Sequence, residues 1–272
     1  ILPGEYVIKT NKKTGEKKMV AIERSYGYFW FMKDLKDTDN KPIISNPSLI
    51  PVEDAQIFPP LNEVKNSNVT NDDGGVDSGN LQNVLGEDVT LPSYFTKDNR
   101  AMDPLAQCTL VAINFNDHGN QMLPSWIEPY EKAFIRERNR VKLVNMTIQE
   151  GRAVRMLKFL IVHGFQKAIP EEKKSSTLLY FGTCPELRDM LRMHNDKTGY
   201  VYLLDGIGRV RWAGSGRATE EEMIQLIKST KELLTVRDAD DDSVVSDEGG
   251  SGGDGYGGAS LKSGKKRFHR SR

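Results

Sequence analysis

Cysteine and histidine are the side chains of this sequence that could act as nucleophiles, general bases or metal ligands, and both are scarce. The chain contains two cysteines, Cys108 and Cys184, and four histidines. The cysteines lie far apart in sequence, and no spacing of Cys and His matches a zinc site. These residues predict neither a disulfide scaffold nor a metal or cofactor site, and they favour a reducing compartment.

The histidines are dispersed along the chain. His118 could act as a general base, but such a base needs an oriented partner, and Asp117 is only its neighbour in sequence. A loop histidine without a catalytic role is the favoured interpretation of His118. His163, in an apolar stretch, and His194, at the end of a predicted helix, are predicted to be structural.

A glycine-rich loop, "GSGRATEEE", offers a second possible chemistry, because glycines before a helix can cradle an anion. Gly214, Gly216 and Arg217 would form such a site. However, the Gly-Lys-Ser/Thr of a phosphate-binding loop is missing. Thr219 is placed to cap the helix, and Glu220–Glu222 would repel a phosphate. We therefore predict that the loop only turns the chain.

Hydrophobic periodicity predicts the elements that would position these residues. The helix predicted over 153–165 carries an apolar stripe made of Val154, Leu157, Leu160 and Ile161. The other predicted helices span 124–139 and 184–195, and strands are predicted over 108–115, 141–148 and 176–182.

The stretch from 199 to 227 has the clearest local signals. Asp205-Gly206 is a hairpin turn pair between two short strands, and Thr219 with Glu222 fits a capping box before the last helix. Trp212 is expected to pack between the hairpin and that helix. The element order is βαβα, a further strand and helix, then ββα. This order predicts an α/β, thioredoxin-like domain with a mixed sheet between two layers of helices.

The residues that give such a fold its redox activity are absent. A redox cysteine would follow the first core strand, where the stretch "NFNDHGNQMLPSW" has none. The position of the usual cis-proline is taken by Thr198-Gly199. Cys108 lies at the wrong end of its strand and is predicted to be a buried structural thiol, whereas Cys184 is expected to be exposed. We predict a domain without the redox cysteine pair and without enzymatic activity.

Composition divides the chain into parts. An N-terminal extension with an aromatic and proline-rich segment is predicted over 1–61, and its first 23 residues are expected to have little structure. A polar linker is predicted over 62–88, and the thioredoxin-like domain over 89–236. The remainder, 237–272, is acidic and then basic, and is predicted to be disordered.

The chain has zero net charge, so it has no bulk attraction to nucleic acid or lipid. No apolar run approaches the ~20 residues of a membrane span. Because the chain begins at Ile1 without a signal-like segment, we expect a processed or trimmed product.

The stretch "YVYLLDGIGRVRWAGSGRATEEE" resembles the C-terminal signature of the ATP-ten family, mitochondrial assembly factors that chaperone subunit 6 of the Fo proton channel. Upstream, the family's "A-x-x-F-P-x-L" motif is matched by Ala55, Phe58, Pro59 and Leu61. The resemblance covers 24–61 and 89–236. The positions that match the signature are Tyr202, Leu203, Leu204, Asp205, Arg209, Arg211, Trp212, Ala213, Gly214, Gly216, Ala218 and Glu220–Glu222.

The resemblance implies a peripheral protein on the matrix side of the inner membrane that binds newly made subunit 6 and promotes its assembly with the subunit 9 ring. It implies no catalytic residue, cofactor, nucleic acid or small-molecule substrate. Tyr28, Phe29, Trp30 and Phe31, with the proline-rich 47–60, are the candidate client-binding patch. The alternative, that these segments pack on the open face of the domain, stays open. Two other functions are retained: a thiol oxidoreductase or peroxiredoxin-like enzyme, and an RNA- or ribosome-associated mitochondrial protein.

Overall fold

The computed structural model describes residues 6–10, 17–21, 32–33, 36, 38, 41–61, 79–96 and 106–245. The chain forms two units, Ile1–Thr235 and Val236–Arg272. The second unit is described only where the last helix continues into it.

A six-stranded mixed sheet forms the centre of the first unit, in the order β3-β6-β5-β4-β7-β8. Strands β4, β5 and β6 are parallel, and β3, β7 and β8 pair with their neighbours in antiparallel fashion. A separate antiparallel pair consists of β1 (Tyr6–Thr10) and β2 (Lys17–Ala21), so the prediction of little structure before residue 24 is wrong for these residues. The strands of the main sheet are β3 (Asn80–Asn83), β4 (Cys108–Asn114), β5 (Val141–Gln149), β6 (Thr177–Phe181), β7 (Tyr200–Asp205) and β8 (Val210–Ser215).

The helices follow the predicted alternation with strands, although several end early. The stretch predicted as one helix over 153–165 is two helices that meet at Leu157, whose φ and ψ of −94° and 7° interrupt the first. The helices are α1 (Asp117–Asn120), α2 (Pro124–Ala133), α3 (Arg152–Met156), α4 (Lys158–Ala168), α5 (Glu171–Lys174), α6 (Pro185–Met190) and α7 (Glu220–Val245).

Alternation along β4 builds a core on each face of the sheet, because successive side chains of a strand point to opposite sides. Val111 and Ile113 belong to one cluster, which also holds Phe58 and the α6 residue Leu187. Leu110 and Ala112 belong to the other, together with aromatic and aliphatic side chains of α2 and α7. Helices on both faces of a mixed sheet, in this strand order, confirm the thioredoxin-like fold.

Both outer strands of the sheet are hydrogen-bonded to neighbouring segments of the chain. Beside β8, the Asn46 and Ile50 amides donate to the carbonyls of Ala213 and Arg211, and the Val210 amide donates to Gln56. Beside β3, the Asn83 amide donates to Glu87, and residues 87–89 run antiparallel to the strand. The part of the extension from 41 to 61 is therefore integral to the domain.

Two predicted boundaries need correction. The sequence predicts a polar linker over 62–88, whereas residues 80–83 of that range form the edge strand β3, and Leu81 and Val84 are buried. The predicted disordered tail begins at 237, whereas α7 continues to Val245. The rest of that tail lies outside the described residues.

Candidate functional site

The loop after β4 occupies the place where a redox enzyme of this fold carries its cysteine. Asn116 organises this loop: its Oδ1 accepts the amides of His118 at 3.0 Å and Gly119 at 3.3 Å, which caps α1. Its Nδ2 donates to the carbonyl of Asp196 at 2.6 Å and joins the loop to the segment before β7. The loop is thus held by amide hydrogen bonds rather than organised around a thiol.

Two glycine backbones close the position between this loop and the start of β7. A Cβ atom added to Gly119 would lie 2.5 Å from the carbonyl oxygen of Thr198, and one added to Gly199 would lie 2.9 Å from the carbonyl oxygen of Gly119. Contacts this short with backbone atoms cannot be relieved by rotating a side chain. The loop after β4 is therefore in close main-chain contact with the Thr198-Gly199 segment, where a redox enzyme of this fold has its cis-proline.

Neither cysteine forms a disulfide, and both are buried, at opposite ends of the parallel strands. Cys108 begins β4 and lies beside Tyr130. It is buried, which agrees with the prediction of a structural thiol. Cys184 follows β6, and the prediction that it is exposed is wrong, since only 4% of its surface is accessible. Burial, reinforced by the Glu150 carboxylate, raises the pKa of the Cys184 thiol to about 12, and Arg188 offsets only part of this rise. A protonated, buried thiol is a poor nucleophile.

A cleft of about 400 Å³ lies beside the loop, between His118, Gln121, Met122, Arg217, Thr219 and Lys41. The ammonium group of Lys41 in this cleft is already bound by protein atoms. Lys41 pairs with Glu222 and also donates to the carbonyl of Arg217 at 2.7 Å. His163, predicted to be structural, is instead exposed on α4. No cluster of potential metal ligands occurs among the described residues.

The glycine-rich loop turns the chain, as predicted. Gly216 adopts a φ of +70°, and its carbonyl accepts the indole N–H of Trp126 at 2.8 Å. A Cβ atom on Gly214 would approach the rings of Trp212 and Trp126 within 2.9 and 3.1 Å. The capping box is also present, because Glu222 accepts the Thr219 amide at 2.9 Å.

The polar residues of the closing signature bind the extension and the hairpin. Trp212 donates its indole N–H to the Asn46 carbonyl at 2.7 Å, and Arg211 donates its Nε–H to the Ile50 carbonyl at 2.7 Å. Trp212 itself is fully buried in the core cluster that includes residues of α7, which agrees with the sequence prediction. These side chains are thus occupied in holding residues 46–50 against β8.

Asp205 organises the hairpin between β7 and β8. Its carboxylate accepts the amides of Ile207 and Arg209 at 3.1 and 3.0 Å, and pairs with the Arg209 Nε at 2.7 Å. The turn is longer than the predicted Asp205-Gly206 pair, since β8 begins only at Val210. The residue with a positive φ, of +83°, is Gly208. On β7, Tyr202 donates to the Leu191 carbonyl at 2.8 Å, and Leu204 is fully buried. Each of these signature positions therefore has a structural role.

The structure describes only one of the two segments of the predicted client-binding patch. Tyr28, Phe29, Trp30 and Phe31 lie outside the described residues. In the proline-rich 47–60, Phe58 is fully buried and packs edge-on against Phe95 with ring centroids 5.1 Å apart. Of the two interpretations of this segment, client binding and packing on the domain, Phe58 therefore follows the second.

An exposed apolar surface does occur elsewhere, on α3 and α4, and sequence reasoning missed it. The periodicity predicts Leu157 and Leu160 in the same apolar stripe as Val154 and Ile161, but 52% and 63% of their surfaces are accessible. Val154 and Ile161 do pack against the domain. The neighbouring Phe159 could have signalled a second apolar side, because one helix face cannot hold both 159 and 161.

The fold and the residues of the loop after β4 define a thioredoxin-like domain that has no cysteine in this loop. A family model described as "ATP10 protein" matches residues 5–233, and the chain belongs to this family. Membership indicates a role in ATP synthase assembly. No curated protein matches the sequence.

Several solved structures are similar to this chain. The exposed lipoprotein thioredoxin Etrx1 of Streptococcus pneumoniae is 10% identical with a TM-score of 0.35, and the match covers 55% of this chain and 96% of that one. BsSco, of the Sco family of cytochrome c oxidase assembly proteins, is 15% identical with a TM-score of 0.35, covering 55% and 89%. The mitochondrial 2-Cys peroxiredoxin of Plasmodium falciparum is 15% identical with a TM-score of 0.32, covering 58% and 90%. With scores below 0.5, the fold assignment rests on the strand order described above.

Within the part of the chain that the structure describes, no helix has both the length and the apolar character needed to cross a bilayer.

Proposed function

We propose that this protein is a non-enzymatic assembly chaperone of the mitochondrial F-type ATP synthase. It binds newly made Fo subunit 6 and promotes the assembly of that subunit with the subunit 9 ring. In this proposal it acts on the matrix side of the inner membrane as a peripheral protein, and it needs no cofactor, nucleic acid or small-molecule substrate.

The observation that carries the proposal is the close approach of Gly119 to Thr198 and Gly199. It joins the loop that follows β4 closely to the start of β7, and this loop, where a redox enzyme of the fold carries its cysteine, contains none. Cys184 does not replace the missing cysteine, because burial keeps the thiol protonated at neutral pH. A rigid domain without this reactive group is suited to binding, and family membership supports ATP synthase as the complex it serves.

Tyr28, Phe29, Trp30 and Phe31 remain the proposed client-binding residues. The part of the extension that follows them is fixed to β8 through Asn46 and Ile50. In this proposal the aromatic segment supplies the apolar side chains that bind the client. The apolar surface of a newly made membrane subunit must be bound by another protein until the partner subunits bind it.

The test is crosslinking during translation in isolated mitochondria, followed by recovery of this protein and identification of the labelled partners. The proposal expects newly made subunit 6 among them, and loss of assembled subunit 6 when the protein is removed. Re-expression of a Cys108→Ser, Cys184→Ser double variant should restore assembly. Recovery of RNA or ribosomal proteins without subunit 6 would support the RNA-associated alternative, and a failure of the folded double variant would support the oxidoreductase.

A further inference from the structure

The exposed apolar residues of α3 and α4 are concentrated in one short stretch. We call it the α3–α4 surface, defined by Met156, Leu157, Phe159 and Leu160, whose side chains are 87%, 52%, 81% and 63% accessible. Elsewhere in the described residues, large exposed apolar side chains such as Ile44, Ile135 and Ile224 are isolated in sequence. Single exposed side chains are ordinary, but a contiguous group indicates an interaction site.

Helix α4 is apolar on two sides. Its inner side places Ile161, Val162 and Phe165 against a small core cluster built on β6. Its outer side carries Phe159 and Leu160, and none of the residues of α4 is fully buried. A surface helix normally carries polar side chains on the side that faces away from the core. The outer side of α4 therefore has the character of a surface that meets a partner.

The charges within the segment that forms this surface are of one sign. From 151 to 170 the sequence contains Arg152, Arg155, Lys158 and Lys167, together with His163, and no Asp or Glu. Lys167 and His163 are exposed on the outer side of α4. The His163 ring lies parallel to the Phe159 ring, and the two ring centroids are 6.4 Å apart. Lys158 points to the sheet instead, where it donates to Asn80 at 2.5 Å.

Two of the carboxylates that flank this stretch are paired with basic residues, whereas Glu172 is exposed. Glu150 binds Arg188 at 2.8 Å, and Glu171 binds Lys174 at 2.5 Å. Beside the surface, a groove of about 450 Å³ is bounded by Gln82, Arg155, Met156 and Phe159. The surface is thus apolar at its centre and positive at its margin.

We propose that the α3–α4 surface docks on the headgroup region of an anionic lipid bilayer. Met156, Phe159 and Leu160 enter the boundary between headgroups and acyl chains, while Lys167 meets the anionic headgroups. A short helix with Phe and Leu on one side and basic residues beside them is the pattern of interfacial binding. Juxtaposed basic residues add attraction that depends on anionic lipid. The proposal deepens the peripheral membrane association proposed above and does not depend on subunit 6 being the client.

The experiment uses the full 272-residue chain and flotation with vesicles of phosphatidylcholine, with and without phosphatidylglycerol. The parent should float more with the anionic vesicles. A Phe159→Ser, Leu160→Ser variant should lose roughly tenfold or more of its binding to those vesicles. Lys167→Glu should reduce the preference for anionic vesicles several-fold and leave binding to neutral vesicles unchanged.

The matched control is Ile224→Ser, which removes an exposed apolar side chain from α7. It should float like the parent, and all variants should keep the parent's melting temperature. A parent without anionic preference, or a Phe159→Ser, Leu160→Ser variant that floats like the control, overturns the proposal. If that variant floats normally but loses its crosslinks to newly made membrane subunits, a protein rather than lipid occupies the surface. If the parent floats as expected but never crosslinks to subunit 6, only the proposed client is wrong.

Discussion

Trp212 donates its indole N–H to the backbone carbonyl of Asn46 at 2.7 Å, across a separation of 166 residues. The hydrogen bond joins the most specific stretch of the closing signature to the N-terminal extension. A second hydrogen bond joins the same segments, because the Ala213 amide donates to Asn46 Oδ1 at 3.2 Å. The signature and the extension are therefore one structural unit, which explains why both parts of the family resemblance occur in the same chain.

Replacing Trp212 should separate the contribution of this hydrogen bond from that of packing. Trp212→Phe keeps an aromatic ring against Trp126 but leaves the Asn46 carbonyl without its donor, so we expect a loss of about 1–3 kcal/mol. Trp212→Ala also leaves a cavity and should cost about 3–5 kcal/mol. Denaturant unfolding of the purified variants measures both. Equal losses for the two variants would mean that the hydrogen bond, which both variants lack, accounts for the effect, and that packing of the ring adds little.

The close packing at Gly119 predicts a pair of opposite results for two glycine substitutions. Gly119→Ala places a methyl group 2.5 Å from the Thr198 carbonyl oxygen and should destabilise the domain by about 1–3 kcal/mol. Gly164→Ala is the control, because its Cβ would meet nothing within 4 Å on α4. A helix gains about 0.8–1 kcal/mol from that change. Melting temperatures that move in the same direction would contradict the closed position.

Cys184 should resist alkylation in the folded protein. Because burial raises the pKa of its thiol from 9.0 to about 12, the thiolate fraction at pH 8 is lower than that of an ordinary cysteine by about a thousandfold. Reaction with iodoacetamide, followed by mass spectrometry, should be slow in buffer, become faster only as the pH approaches the raised pKa, and be rapid in urea. Fast native labelling at pH 8 would show that the thiol is accessible and would reopen the oxidoreductase alternative.

The aromatic segment carries the prediction about the client. Serine substitutions at Tyr28, Phe29, Trp30 and Phe31, made one at a time, should reduce crosslinking to newly made subunit 6 while circular dichroism stays unchanged. Each lost apolar contact removes up to about 1.5–3 kcal/mol of binding. Ile44→Ser, which removes an 86% exposed side chain after the segment, is the control and should crosslink normally. Undiminished crosslinking in all four variants would place the client elsewhere.

The composition of the chain after α7 predicts that it contributes nothing to domain stability. Deletion of 246–272 removes a mostly polar, charged and glycine-rich sequence, in which Tyr256, Leu261 and Phe268 are scattered, and should leave the melting temperature unchanged. Deletion from 238 also removes helical residues of α7 and serves as the comparison. A fall in melting temperature for the shorter deletion would show that the tail packs on folded residues.

The parts of the fold that sequence could predict are those with local signals. The capping box of Thr219 and Glu222, the buried strands β4 and β7, and the loop function of Gly216 follow from turn chemistry and periodicity. Strand β3 could not be found in this way, because Leu81 is its only apolar residue and its pairing with β6 spans about a hundred residues. Edge strands of this kind are specified by distant contacts rather than by their own composition.

The features of the candidate site could likewise be predicted from the sequence only where they depend on local signals. The absence of a redox cysteine could be seen in the sequence, but the glycine contacts between its loop and the start of β7 depend on two segments meeting in space. Burial of Cys184 likewise follows from packing against α6, and no local signal indicates it. The exposure of Leu160 was missed because periodicity assigns apolar residues to a core without showing how much of it is already filled.

The covered margins of the sheet limit how the protein can hold another chain. Asn46, Ile50 and Gln56 occupy the backbone groups of β8, and residues 87–89 occupy those of β3. A partner therefore cannot join this sheet as an additional strand, which is a common mode of peptide capture and also a route to self-association. Any recognition of a partner by this sheet must therefore use side chains. The sheet offers an unassembled, aggregation-prone polypeptide no template for strand addition.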